Sequence, residues 1–173
     1  MKKVLIALAA SAAVVSSFNA SAADGTINFT GEVSSQTCVI EGNTGTTVKT
    51  VPMPRVSASS MAAVGQVAGR KDFSLALTGC TGSSALVRFE QGATVDAVTG
   101  NLINQTADGS NVQVQLLNAN LDPINLQTNE GSLSTAVTDK KATLKFYAQY
   151  IAATAAATAG QVTSSVQFSM DYN

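Results

Sequence analysis

The sequence predicts an all-β protein, a sandwich of seven or eight short strands, and three observations carry that prediction. Apolar side chains recur at every second residue in several short runs. Turn-forming glycine, asparagine, aspartate and proline separate those runs, and no part of the chain beyond its start shows a sustained helical period. Thr, Ser, Val, Gly and Asn abound while only 12% of the residues are charged, so alternating burial, not ion-paired helical faces, must organise the fold.

The first 22 residues of the 173 do not read as part of that fold. Lys2 and Lys3 form a basic start, an apolar run follows to Val15, and Ala20-Ser21-Ala22 has the small residues that a signal peptidase requires. The apolar stretch is about a dozen residues, too short to span a bilayer as a helix. Residues 1–22 are therefore expected to be a signal peptide, cleaved after Ala22 with Ala23 as the near alternative. A mature chain of about 151 residues suffices for one domain with a real core. The leader contains two bases and no acid, so its removal takes the formal charge from −1 to −3. That mildly acidic balance excludes an electrostatic footprint for nucleic acid or anionic lipid.

Strand by strand, residues 26–33 come first: Ile27, Phe29 and Val33 share one face, interrupted by Gly31, against Asn28, Thr30 and Glu32 on the other. A second strand is expected around Cys38 and Ile40, ended by Gly42, Asn43 and the Gly45 turn. Residues 49–53 read as a short strand stopped by Pro52 and Pro54. Residues 57–69 are small, polar and unpatterned, hence loop, with room for one helical turn at 60–63. Phe73, Leu75 and Leu77 alternate up to Cys80, and Val87 and Phe89 mark the next strand, which ends at Gly92. Residues 94–110 are rich in turn formers, with Leu102 and Ile103 as a candidate short edge strand. Residues 112–116 alternate again before the Asp122-Pro123 turn. In the first of two strong closing strands, Ala142, Leu144, Phe146, Ala148 and Tyr150 oppose Lys145, Tyr147 and Gln149. In the second, Val162, Ser164, Val166, Phe168, Met170 and Tyr172 share a face. The Ala/Thr-rich residues 152–160 between them are helical by composition but loop by length and flanking strands. This count and spacing suit an immunoglobulin-like sandwich.

Catalysis finds little to work with. The chain has no histidine and no tryptophan, which removes the commonest general base, the commonest metal ligand and the usual nucleophilic triads. The acids fall mainly in turns, where Asp is favoured for backbone reasons, and Gly65, Gly69 and Gly79 fit no phosphate-binding pattern. No enzyme activity, cofactor or metal is expected. Asn28-Phe29-Thr30 and Asn104-Gln105-Thr106 match the weakly specific glycosylation sequon. Cys38 and Cys80, the only cysteines, are expected to pair in an exported chain. Closing a loop of about 43 residues stabilises a fold by roughly 4 kcal/mol in the chain-entropy model.

What remains unusual lies at the two ends. An amphipathic strand begins close to the expected mature N-terminus, and another runs to Tyr172 with nothing after it to cover its edge, an aggregation hazard that folded proteins normally blunt. Here the chain resembles the structural subunits of chaperone–usher pili of the type 1-like kind. The resemblance rests on residues 25–33 leading to Cys38, on residues 73–80, on residues 146–150 with the Ala/Thr stretch after them, and on Gly160 and Tyr172 at their distances from the C-terminus. The final Asn173 departs from the Gln common in that family. The resemblance implies a sandwich, residues 37–173, that lacks its last strand and is completed by a donor strand from a neighbour. Residues 23–36 would be that donor, with Ile27, Phe29, Gly31 and Val33 entering the groove of the next subunit. Gly160, Val162, Val166, Phe168, Met170 and Tyr172 would form the groove-edge strand that pairs with the chaperone. The implied partners are a periplasmic chaperone, an outer-membrane usher and identical subunits in a head-to-tail filament at the cell surface, as in β-augmentation generally. A minor adaptor or single-domain adhesin of the same kind of pilus is the alternative.

Overall fold

A computed structural model describes residues 27–30, 33, 37–43 and 45–173 of the chain. The expected leader, and Thr26, Gly31 and Glu32 of the first alternating run, lie outside the described residues. The chain divides into two units, Met1–Ser34 and Ser35–Asn173. In the first, the described residues belong to no strand ladder, and Ile27, Phe29 and Val33 are 80%, 91% and 102% exposed.

The second unit is built from two antiparallel sheets. In chain order the strands are β1 (Val39–Ile40), β2 (Val67–Thr78), β3 (Ser84–Phe89), β4 (Gln113–Leu117), β5 (Thr135–Ala136), β6 (Lys141–Ile151) and β7 (Phe168–Tyr172). One sheet runs β1-β2-β6-β4 and the other β5-β3-β7. The long β2–β6 ladder sets Phe73, Leu75 and Leu77 opposite Phe146, Leu144 and Ala142. Cross-strand apolar pairs of this kind are what fix a register, since a one-residue slip would turn every one of them to the wrong face. Phe73 stacks on Phe146 with ring centroids 5.4 Å apart, and Phe146 meets Phe89 of the other sheet edge-on at 5.8 Å. Leu75, Leu77, Val87, Leu116 and Leu144 complete the buried layer between the sheets. Gln149 breaks the alternation of β6: it is buried, accepts from Arg70 Nε at 3.0 Å and donates to Gln115 Oε1 at 2.8 Å, so its burial is compensated by bonding. Cys38 and Cys80 form the expected disulfide, tying the start of the unit to the end of β2.

Several boundaries differ from the sequence expectation. Val67–Gly69 begin β2 instead of ending a loop, because a bulge between Ala68 and Lys71, with Gly69 at φ +66°, carries the chain into the ladder. The helical turn is a short 3-10 turn at Ala58–Met61, two residues earlier than expected, capped by the Ser57 hydroxyl that accepts from the Ser59 amide. Residues 49–53 join no ladder among the described residues, and the last strand occupies only Phe168–Tyr172 of the expected 162–172. Residues 152–160 are loop. β5, and the deeply buried Ile124 and Leu126, arise in a stretch that carries no alternation.

Candidate functional site

Along one flank of the second unit the core is open. A groove of about 1490 Å³ is floored by Phe73 and Leu75 of β2, Phe89 of β3, Leu116 of β4, and Ala148 and Tyr150 of β6. Both sheets therefore contribute to its floor. Its two walls are segments 45–56 and 158–168. Tyr150, packed over Gly69, is mostly desolvated there, and that burial pushes its phenol above the usual range.

The 158–168 wall continues into β7. Val162, Ser164, Val166 and Phe168 are half-buried while Gln161, Thr163, Ser165 and Gln167 are exposed, so the expected side-chain alternation persists beyond the ladder. The main chain alternates too. Gln167 O accepts from Glu90 N at 2.9 Å, and Asn173 exchanges bonds with Ser84, so odd-numbered residues turn towards β3. Even-numbered residues consequently present N–H and C=O to the opposite edge, where β7 has no neighbour among the described strands. Upstream of β7, where β3 has ended, the odd-numbered side is taken over by loop 103–111: Gln161 O accepts from Ser110 N at 3.1 Å and Thr163 O from Gln105 N at 2.8 Å. Two glycines permit this contact. A Cβ on Gly160 would collide with the backbone of Ser110 and sit 2.6 Å from Gly109 C, and one on Gly109 would sit 2.5 Å from Gln161 O. The open edge, from 160 onward, carries no proline or lysine to discourage pairing.

The 45–56 wall is held more lightly. Its backbone groups have no main-chain partner among the described residues. Val51, Met53 and Val56 are half-buried, and Met53 and Val56 pack against the core. Lys49 Nζ reaches Glu41 Oε2 at 3.0 Å and the Thr47 hydroxyl donates to Ile40 O at 3.3 Å. Glu41 Oε1 in turn accepts from Ala76 N at 2.8 Å. That backbone donor first, and then Lys49, hold the Glu41 carboxyl below its usual range.

A trough with an apolar floor beside a row of unpaired main-chain groups can receive an extended peptide: alternate side chains enter the trough and the backbone completes the sheet. Among the described residues no group of three or more acids or cysteines could hold a metal, and no helix is long and apolar enough to cross a membrane. Of the residues singled out in the sequence, Gly160, Val162, Val166 and Phe168 line the groove. Met170 and Tyr172 lie farther along β7, opposite Val87 and Ala85, half-buried against the core. Ile27, Phe29 and Val33 belong to the other unit, and Gly31 is outside the described residues. Sequence reasoning missed the 45–56 wall, Met61 and Tyr150 of the lining, and Asn104 and Asn111, whose side chains bond to residues 156–163. The Asn104 sequon was the only signal at either asparagine, and it pointed elsewhere: both ends of that amide are occupied within the fold.

The family model FimA, described as type-1 fimbrial protein, A, matches residues 53–173. The chain is 42% identical over 163 residues to the "Major fimbrial subunit SMF-1" of Stenotrophomonas maltophilia (strain K279a), covering 89% of this chain and 95% of that one. It is 41% identical over 183 residues to the "F17 fimbrial protein" of Escherichia coli, covering 99% of each. Among solved structures, the antigen and type I fimbria protein of Burkholderia pseudomallei superposes with a TM-score of 0.58 at 30% identity, over 75% of this chain and 86% of that one. A subunit in the structure of a chaperone–usher pilus shares the fold, with a TM-score of 0.62 at 18% identity, over 87% and 96% of the two chains.

Proposed function

The chain belongs to the type-1 fimbrial protein A family, and from that premise we propose that it polymerises by donor-strand exchange into an adhesive surface filament. It is a fimbrial subunit of the chaperone–usher kind, exported to the cell surface. In this reading residues 1–22 direct export, and residues 37–173 form the incomplete sandwich. A periplasmic chaperone strand fills the groove first. At the outer-membrane usher, residues 23–36 of the next copy replace it, with Ile27, Phe29 and Val33 entering the trough and Gly31 crossing where the backbone must come close. The carrying observation is the open groove with its apolar floor, bordered by the unpaired edge of 162–172. From Ile27 to Val33 an extended chain spans about 20 Å, within the roughly 33 Å that the eleven residues of the 158–168 wall cover at strand spacing. Burying three large apolar side chains contributes on the order of 5–9 kcal/mol, before main-chain bonds at roughly 0.5–1.5 kcal/mol each. Contacts of this head-to-tail kind need not close into a ring, so they extend into a fibre. The relative named a major fimbrial subunit favours the shaft over an adaptor position. The absence of a histidine anywhere in the chain fits a structural role.

The test is thermal unfolding of the purified mature chain with and without a synthetic peptide of residues 23–36, alongside electron microscopy of cells expressing the subunit with its assembly partners. Occupancy of the groove is expected to raise the midpoint by more than 10 °C. A compact, reversible monomer indifferent to the peptide, from cells that show no filaments, overturns the reading.

A further inference from the structure

Residues 161–167 of the groove wall keep a strand's side-chain alternation with no strand beside most of their length, and side chains add to the few main-chain bonds from loop 103–111. Asn104 makes four bonds. Its Nδ2 donates to Ser110 O at 2.8 Å and to Gln161 O at 2.7 Å, and its Oδ1 accepts from Thr106 N at 3.0 Å and from Thr163 N at 2.9 Å. Asn111 repeats the device seven residues on: Nδ2 donates to Ala156 O at 3.0 Å and Oδ1 accepts from Thr158 N at 2.8 Å. Each amide so imitates a strand partner, offering a donor and an acceptor to the same stretch of main chain. The Asn104 bonds engage odd-numbered Gln161 and Thr163, and they leave the even-numbered main-chain groups of 162–166 open.

We propose that Asn104 and Asn111 are positioning residues that hold residues 156–163 in their observed path, bend at Gly160 included, before any strand occupies the groove, and thereby set how fast an incoming strand is captured. The proposal rests on the strand-receiving function above. Ordering a segment carries an entropic cost, and a receptor populated only in part in its competent shape binds more weakly by that fraction. Without the asparagines the wall samples other shapes, and capture slows in proportion to the competent fraction. Once a strand is seated, its own main-chain bonds keep the wall in that path, so release changes little.

The experiment uses the full mature chain and a fluorescent peptide of residues 23–36, with association and dissociation measured separately. Asn104→Ala is expected to lower the association rate about 10-fold and to leave dissociation within about 2-fold, with Asn111→Ala giving a smaller loss of the same kind. Asn104→Asp serves as the second variant: ionised, it sets a carboxylate against two carbonyls, whereas protonated it regains one donor. Its association rate relative to wild type should therefore recover as pH falls through the carboxylate range, and that of Asn104→Ala should not. Unchanged association in both alanine variants, or a loss carried by faster dissociation, overturns the positioning role. Failure of the wild-type chain itself to bind the peptide overturns the function on which the proposal rests, so the two failures are distinguishable.

Discussion

The two walls of the groove are of equal standing as boundaries and unequal in how they are held. The 158–168 wall is fastened along its outer side by loop 103–111 and runs into β7, which is laddered to β3. The 45–56 wall has no main-chain partner among the described residues and depends on the Glu41–Lys49 pair, the Thr47 hydroxyl and the packing of Met53 and Val56. The difference teaches that the groove is polarised. On the proposed function, an arriving strand would find a prepared edge on one side and, on the other, a segment that it must itself help to fix.

The largest expected effect comes from the arriving strand, which engages both walls. Gly31→Leu should abolish filaments seen by electron microscopy while the subunit still accumulates with its chaperone; fibres of normal length from that variant would show that no close backbone passage exists at residue 31. Next is the lighter wall. Replacing Cys38 and Cys80 together by Ala unties the chain segment that leads into 45–56 and should cost roughly 4 kcal/mol, read by urea unfolding of the peptide-filled subunit. A loss below about 1 kcal/mol would mean that the lighter wall is not secured through the disulfide. On the fastened wall, Gly160→Val drives a side chain into the Ser110 backbone and should cost about 1–3 kcal/mol. Comparing its unfolding with and without the peptide tests whether the loss belongs to the 109–160 contact or to the groove. The smallest effect is electrostatic. Glu41 has a lowered folded pKa, so its contribution is present above the unfolded value and fades as pH falls through the folded one. The carboxylate is partly exposed, so the loss should be under about 1 kcal/mol. Glu41→Gln should flatten that acid limb in a pH series of thermal midpoints, and an unaltered limb would assign it to another carboxylate, such as Asp96, which the Thr99 and Val98 amides also hold low.

Much of the fold was legible because apolar and polar side chains alternate along the long strands. Residues 73–77, 112–116 and 142–150 announced themselves by period two, and each became a ladder. The same reasoning ran past the ladder at residues 162–167, since side-chain alternation reports burial and not main-chain pairing: the burial is there and the strand partner is not. It also missed Ile124 and Leu126, which are buried by an irregular loop with no period to read. At the candidate site, Gly160 was noted from resemblance alone, and its physical reason, the backbone contact with 109–110, needed coordinates. Asn104 was hidden by its ordinariness, because asparagine in a turn is expected for local reasons and nothing in the sequence tells that its amide reaches residues 161 and 163, nearly sixty positions away.

The floor of the groove is drawn from both sheets, Phe73 and Leu75 from one and Phe89 from the other. A strand seated there is gripped from above and below as well as along its edge. In a fibre joined this way, pulling on the ends loads each seated strand lengthwise, so its main-chain bonds and buried side chains must shear together instead of peeling one by one. Endurance under flow is then governed by the rate of that concerted rupture, and not by the equilibrium affinity of the joint.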